Sequence, residues 1–213
     1  SGRTGVTAAA GFTAAGVAAG IRSDGRADLA LVRNTGPRFD AAAVFTSNRV
    51  FAAPVGWSRT AVADGRLVGV VLNSGGANAC TGEPGRQDSA ATAAAVAAAL
   101  DCAPADVAVC STGLIGVRLP MAHLLAGVPE AAQALSEGGG DAAARAIMTT
   151  DTRSKQASVT SVGGFTVGGM AKGAGMLAPG LATMLVVITT DAEVDAPDLD
   201  AAPVSYTHLT LPT

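Results

Sequence analysis

Short apolar segments separated by turn residues fill the first part of the chain. The segments 12–21 and 27–34 flank Asp24-Gly25, a pair typical of β-hairpin turns. The same alternation of apolar runs and turn signals predicts further short strands at 41–48, 53–62 and 67–75. The last of these runs into a glycine-rich stretch. This part of the chain is therefore predicted to be mainly β.

The second part mixes helices with strands. An alanine-rich run from Asp88 to Leu100 predicts a helix, with Asp88 or Ser89 as its N-cap. Further helices are predicted at 120–135 and 141–151, and further strands at 107–116, 158–171 and 183–192. The last strand is apolar and β-branched, which is typical of a buried strand. Because the elements follow no regular βαβ repeat, we predict an α/β fold of mixed sheets with flanking helices.

Composition favours a globular protein and argues against several classes of partner. Apolar residues make up 49% of the chain and charged residues 15%. A net charge of -3 predicts no nucleic-acid partner, and no apolar run reaches the roughly 20 residues that span a membrane. Three cysteines without CxxC spacing and two histidines predict free thiols and no metal, as in a cytoplasmic protein.

The two ends of the sequence suggest a piece of a longer protein. The chain begins at Ser1 and has no methionine before Met121. Residues 204–213 follow an Ala/Asp-rich segment, depart from its composition and contain the single tyrosine. We therefore expect 204–213 to be a non-native tail that is foreign to the fold.

Four glycine-rich or polar segments follow predicted strands or helices and are the candidate sites of chemistry: 73–82, 111–116, 148–155 and 168–183. None of them has the spacing of a Walker loop or a dinucleotide-binding loop, and the nucleophile elbow GxSxG is absent. Two histidines leave little for a Ser/His/Asp triad. Acyl chemistry would need another base.

A threonine freed by chain cleavage would supply that base. At Ala182-Thr183 a run of small residues meets a rigid predicted strand. Cleavage there would place an α-amine, with an ordinary pKa of roughly 7.7–8, beside the Thr183 hydroxyl as general base. The plain alternatives remain open: a threonine that begins a strand is usually an ordinary β-branched residue, and Ser111-Thr112-Gly113 can be a simple turn.

Taken together, the four segments resemble the ornithine acetyltransferase (glutamate N-acetyltransferase, ArgJ) family in its actinobacterial form. The matching stretches are NSGGANACTG (73–82), CSTGLIGVRLPM (110–121), AIMTTDTRSK (146–155) and GGMAKGAGMLAPGLATML (168–185). The resemblance implies a self-cleaving fold of the N-terminal-nucleophile type, incomplete in this chain. Residues 1–182 would be the α chain, and 183–203 the start of the β chain.

Residue by residue, the resemblance makes Thr183 the nucleophile and Ala182-Thr183 the cleaved bond. Thr112 and Gly113 would form the oxyanion hole. Lys172 and Thr149 would bind substrate together with Thr183, Thr150 being the alternative to Thr149. No metal is implied.

The implied reaction moves acetyl from N-acetylornithine to glutamate through an acetyl-Thr183 ester, in arginine biosynthesis. No cofactor is implied, and acetyl-CoA is left open as a co-substrate. The implied partner is the protein's own β chain, in an assembly of two α and two β chains. Two other functions stay open: a related self-cleaving aminopeptidase, which usually exposes serine, and a non-catalytic remnant.

Overall fold

The computed structural model describes residues 2–173 and 183–207, with only the backbone described at 203–207. Its strands are β1 (Phe12–Val17), β2 (Leu29–Asn34), β3 (Gly69–Gly76), β4 (Val107–Leu114), β5 (Lys155–Thr160), β6 (Thr166–Lys172) and β7 (Leu185–Thr190). Its helices are α1 (Ala53–Ala61), α2 (Gly82–Leu100), α3 (Met121–Gln133), α4 (Gly140–Ala146) and α5 (Ala196–Thr207). The α/β prediction with mixed sheets is confirmed. No helix of the described ranges is long and apolar enough to cross a membrane.

The first sheet has the order β1-β2-β3-β4 and is mixed. β1 and β2 form the antiparallel pair that the Asp24-Gly25 turn predicted, and β3 pairs with β2 antiparallel. β3 and β4 are parallel because α2 carries the chain back to the start of the sheet. The parallel register places Ser74 beside Thr112 and Gly75 beside Gly113, so two of the predicted functional segments end side by side.

The second sheet has the order β5-β6-β7 and is antiparallel throughout. The predicted strand 158–171 is in fact two strands, because the chain turns at 161–165. The register of β6 with β7 pairs Lys172 with Leu185. This pairing sets the end of β6 close to Thr183, two residues before β7 begins.

The core lies on both faces of the first sheet. Because side chains alternate along a strand, Leu29 and Leu31 pack toward α2 and α3, while Ala30 and Val32 face the opposite side. That opposite side also contains Ile147, which follows α4, and Met170 of the second sheet. Burying apolar surface on both faces fixes the first sheet between two layers and places the second sheet near its α4 side.

Two strand predictions were wrong. Residues 41–48 form no strand, and residues 53–62 mainly form the helix α1. Pro54 explains the second error, since proline suits a first helical turn and cannot donate a hydrogen bond within a sheet. The side chains of α1 then satisfy backbone carbonyls of β4: Trp57 Nε1 donates to Val107 O at 2.9 Å and Ser58 Oγ donates to Val109 O at 2.8 Å.

Helix α2 begins at Gly82, six residues earlier than predicted, so neither Asp88 nor Ser89 is its N-cap. Both residues lie within the helix, and their side chains are buried in the protein. Asp88 accepts two hydrogen bonds from Arg118, at 3.1 and 2.6 Å. These bonds offset the free-energy cost of burying its carboxylate. The polar residues that looked like a cap therefore serve tertiary contacts.

Strand β7 is not fully buried as predicted. Val186 is 48% exposed and Ile188 is 66% exposed, whereas Thr189, on the opposite face of the strand, is buried. The alternation shows a strand with one face in the protein and one face open in this chain. Helix α5 continues across the predicted tail boundary at 204, and residues 208–213 lie outside the described residues. The foreign origin of 204–213 stays a prediction.

Candidate active site

Four of the predicted site residues meet at one atom, the ammonium nitrogen of Lys172. Lys172 ends β6 and is 4% exposed. Its Nζ donates hydrogen bonds to Thr112 Oγ1 at 3.0 Å and to Thr149 Oγ1 at 2.7 Å. A third, longer hydrogen bond reaches the backbone carbonyl of Thr183 at 3.4 Å. Residues from three widely separated parts of the sequence thus meet at the Lys172 side chain.

The Lys172 ammonium is held by neutral oxygens. An ammonium has three N–H donors, and these three acceptors match that number. Burial lowers the pKa of Lys172 below its ordinary value; the nearby Asp151 carboxylate opposes that shift and the Lys155 ammonium adds to it. Within the described ranges no carboxylate is in ion-pair contact with Lys172. A buried cation supported in this way can still attract an anionic group.

The end of β4 supplies Thr112 and Gly113. Thr112 is 1% exposed, and Gly113 has φ +134°, a backbone conformation that favours glycine. A Cβ on Gly113 would lie 2.4 Å from the Gly75 carbonyl carbon and 2.6 Å from the Gly76 nitrogen. The register of β3 with β4 shifts at the same point. Backbone proximity therefore requires glycine here.

A network of buried polar groups links the ends of β3 and β4 at this point. Ser111 Oγ donates to Asn73 Oδ1 at 2.6 Å, and Asn73 Nδ2 donates to Gly76 O at 3.0 Å. All three groups belong to the adjacent ends of β3 and β4. Sequence reasoning noted both segments but gave these two side chains no role. The signal was present in the polar residues placed directly after two apolar strands.

The segment after α4 supplies Thr149. Ser74 Oγ donates to Ala146 O at 2.8 Å and Arg22 Nη1 donates to Met148 O at 2.9 Å, so the backbone before Thr149 is tied to two other segments. Thr149 is half-buried and contacts Lys172, whereas Thr150 is exposed. Of the two threonines, the structure brings Thr149 to Lys172 and leaves Thr150 on the surface.

Thr183 is half-buried and lies just before β7. The β6–β7 register brings its carbonyl to Lys172. Ala182, the other half of the predicted cleavage bond, lies outside the described residues, as does the rest of the predicted loop at 174–182.

Sequence reasoning missed Asp151, a buried carboxylate beside the site. Its Oδ1 accepts a hydrogen bond from the Gly173 backbone N–H at 3.0 Å and its Oδ2 accepts one from the Thr149 N–H at 3.3 Å. Lys155 Nζ forms an ion pair with the same carboxylate. Burial raises the pKa of Asp151, but the Lys155 and backbone hydrogen bonds outweigh it and lower the pKa to about 2.

Other chemistry finds less support in the described residues. They contain no group of three His, Cys, Asp or Glu side chains able to hold a metal ion. The three cysteines are free, and burial raises the pKa of the Cys110 thiol to about 12. A thiol with such a pKa stays protonated near neutral pH and is a poor nucleophile.

A sequence model of the ArgJ family matches residues 13–210. The chain is 63% identical over 205 residues to the arginine biosynthesis bifunctional protein ArgJ of Streptomyces coelicolor, covering 96% of this chain and 53% of that protein. It is 60% identical over 201 residues to the protein of that name from Bifidobacterium longum, covering 92% of this chain and 51% of that protein. The chain therefore spans about half the length of these curated relatives.

Two solved structures of ArgJ proteins have a similar fold. An ornithine acetyltransferase from Mycobacterium tuberculosis, crystallised with ornithine, matches with a TM-score of 0.81 and 58% identity, over 85% of this chain and 96% of that chain. The ArgJ bifunctional protein of Bacillus halodurans matches with a TM-score of 0.75 and 38% identity, over 85% and 94%. By sequence and by fold, the chain belongs to the ArgJ family.

Proposed function

We propose that the whole protein transfers acetyl from N-acetylornithine to glutamate in arginine biosynthesis, after cutting itself between Ala182 and Thr183. The observation that carries this proposal is the meeting of Lys172 Nζ with Thr112, Thr149 and the Thr183 carbonyl. The names of the relatives support it, since they include an ornithine acetyltransferase and bifunctional arginine-biosynthesis proteins.

The reaction divides into two acyl transfers at one hydroxyl. The freed α-amine of Thr183 takes the proton from Thr183 Oγ1, which attacks the N-acetyl carbonyl carbon. Collapse of the tetrahedral intermediate breaks the C–N bond, and the departing ornithine amine receives the proton. The amine of glutamate then attacks the carbonyl carbon of the acetyl-Thr183 ester, the ester C–O bond breaks, and Thr183 Oγ1 receives the proton that the glutamate amine gives up. This is nucleophilic catalysis with ping-pong kinetics.

Thr112 and Gly113 are proposed to stabilise the oxyanion of each tetrahedral intermediate. Their strand end is fixed by the close approach of β3 and by the Asn73–Ser111 network, so donors there need not reorganise during the reaction. Losing one such donor in other acyl-transfer enzymes costs about 2.7–4 kcal/mol of barrier. The Lys172 hydrogen bond to Thr112 adds a positive charge beside the same site.

Lys172 and Thr149 are proposed to hold the substrate, Lys172 through a substrate carboxylate. Both ornithine and glutamate carry a carboxylate, so one cation can serve both half-reactions. The hydrogen bond of Lys172 to the Thr183 carbonyl is the longest of its three, at 3.4 Å. The Lys172 N–H that makes this long hydrogen bond can therefore turn to a substrate carboxylate with the smallest loss of hydrogen-bond energy.

In the full-length protein, residues 183–203 and the part that follows them are proposed to form the β chain, in an assembly of two α and two β chains. No metal or cofactor is proposed. Because the curated relatives are named bifunctional, we also propose acetyl-CoA as a second acetyl donor for glutamate. The free cysteines suit a reducing cytoplasm, where we place the enzyme.

The test uses the full-length protein. Intact mass should show two chains separated between Ala182 and Thr183, and incubation with N-acetylornithine should add one acetyl group to the chain that begins with Thr183. Thr183→Ala should remain a single chain, because it has no hydroxyl to attack the preceding carbonyl. Thr160→Ala, a threonine change on exposed β5, serves as the matched control and should cleave normally.

Two results would contradict the proposal. A single uncut chain in a preparation that transfers acetyl would reject Thr183 as a nucleophile freed by cleavage. Cleavage without acetyl transfer, combined with release of N-terminal residues from peptides, would favour the related aminopeptidases. Assays with acetyl-CoA in place of N-acetylornithine decide the second donor separately.

A further inference from the structure

We infer that Asp151 is a positioning residue of the acetyl-transfer site: its buried carboxylate fixes the segments that carry Thr149 and Lys172 relative to each other. This inference rests on the proposed function and assigns a residue that the motifs left without a role. The Asp151 side chain is 1% exposed, so its contacts are made within the protein.

The contacts of Asp151 reach both segments at once. Oδ2 accepts from the Thr149 N–H at 3.3 Å, on the residue whose hydroxyl meets Lys172. Oδ1 accepts from the Gly173 N–H at 3.0 Å, on the residue that directly follows Lys172. The 2.7 Å hydrogen bond between Lys172 Nζ and Thr149 Oγ1 therefore joins two residues whose backbones are anchored to one carboxylate.

The same carboxylate fixes the start of the stretch that leads to Thr183. Gly173 has φ +147°, which favours glycine, and its N–H is held by Asp151 as the chain leaves β6. A small displacement of a catalytic group is costly, because rate depends steeply on the geometry of the reacting atoms. Asp151 therefore acts through the placement of Lys172 and Thr149 and not through contact with substrate.

Asp151 also acts on the charge of Lys172. Among the described residues, the charged groups that influence Lys172 are Asp151, which favours its protonated form, and Lys155, which disfavours it. Lys155 is itself paired with Asp151 and lies at the edge of the site, with 44% of its side chain exposed. The two groups therefore form a pair whose separate removal shifts the pKa of Lys172 in opposite directions.

The experiment measures cleavage, kcat and KM against pH in full-length wild type, Asp151→Asn and Lys155→Gln, with kinetics taken only on cleaved protein. Asparagine keeps the shape of the side chain and removes its charge. Asp151→Asn should lower kcat/KM by roughly tenfold to a hundredfold. It should also move the alkaline limb of the kcat/KM profile to lower pH, because Lys172 then loses its proton earlier.

Lys155→Gln should move the same limb to higher pH with a smaller change in kcat/KM, because the opposing ammonium is removed. The acid limb, which reports the α-amine of Thr183, should stay in place in both variants. Opposite movement of one limb is a signature that a purely structural carboxylate would not produce. Should Asp151→Asn not fold, Lys155→Gln still tests the charge coupling of this pair to Lys172, and an alkaline limb that stays in place in that variant would contradict it.

Wild type is assayed first, so that failure of the proposed function is recognised separately. Wild type that neither cleaves nor transfers acetyl removes the proposed function. An active wild type with wild-type kcat/KM in Asp151→Asn, or with an alkaline limb that moves in neither variant, overturns the inference. A loss of thermal stability in Asp151→Asn with an unmoved limb assigns the carboxylate to stability alone and overturns it as well.

Discussion

Gly113 and Gly75 approach so closely that a Cβ on Gly113 would lie 2.4 Å from the Gly75 carbonyl carbon. The contact is between backbones of two parallel strands, β3 and β4, and neither can move without disturbing the ladder. Two requirements therefore coincide at Gly113, a positive φ of +134° and the absence of a side chain. Both concern the strand end that is proposed to stabilise the oxyanion.

Gly113→Ala should destabilise the full-length protein and impair both cleavage and acetyl transfer. The backbone strain alone costs about 1–3 kcal/mol, and the clash with β3 adds to it. Gly116→Ala is the matched control, since Gly116 also has a positive φ, +81°, but nothing lies within 4 Å of its Cβ position. Urea unfolding and a cleavage assay measure both effects. Equal losses in the two variants would show that close packing at Gly113 is irrelevant.

Thr149→Ala and Thr150→Ala form a second matched pair on adjacent residues. Of these two threonines, Thr149 is the one that contacts Lys172 in the described structure, so its loss leaves a buried ammonium without one of its three acceptors. Such a loss costs about 1.5–3 kcal/mol, which corresponds to a drop in kcat/KM of roughly tenfold to a hundredfold. Thr150→Ala should stay near wild type because Thr150 is exposed. The reverse order of effects would reassign the substrate-binding threonine.

Lys172→Met should lower kcat/KM for N-acetylornithine by about tenfold or more, equivalent to roughly 1.4 kcal/mol. Methionine has similar length and leaves no cation to bind a substrate carboxylate. The ammonium also contacts the Thr183 carbonyl, so cleavage is measured first and kinetics use cut protein only. Lys172→Arg should also be impaired, because a planar guanidinium does not reproduce a compact ammonium with three donors. An unchanged kcat/KM in Lys172→Met would make the lysine structural.

The sequence predicted mixed sheets, three of the five helices in the described residues and, through the family resemblance, the residues that meet at Lys172, but it did not predict how these residues meet. Apolar alternation was sufficient for β1, β2 and β3. It misplaced 53–62 because the alternating pattern outweighed Pro54, whose helix α1 is stabilised by contacts with β4 that no local pattern contains. The N-cap error at Asp88 has the same origin, since a tertiary partner, Arg118, sets the position of that carboxylate.

At the site, the motifs identified Thr112, Thr149, Lys172 and Thr183 as candidates. Their common contact depends on the β6–β7 register and on the parallel pairing of β3 with β4, which bring together residues up to 71 positions apart in sequence, from Thr112 to Thr183. Asp151 was missed because an aspartate in a polar segment looks like a solvated turn residue. Its burial and its two backbone donors are visible only in three dimensions.

Asp151 should also contribute stability that depends on pH. Its folded-state pKa, about 2, lies below the ordinary value of 3.8, so the folded protein binds this proton less readily than the unfolded chain. A depressed carboxyl pKa contributes stability that is fully present above the unfolded value and is lost as pH falls toward the folded value. The window therefore lies between about pH 4 and pH 2, and the contribution is about 2 kcal/mol.

Asp151→Asn lacks a titrating group at this position, so the difference in unfolding free energy between wild type and variant should shrink by that amount from pH 5 to pH 2. Urea unfolding of full-length protein at each pH measures it, with Asp200→Asn on exposed α5 as the control. A difference that stays constant across the window would mean that the Asp151 carboxylate is not selectively stabilised by the folded protein.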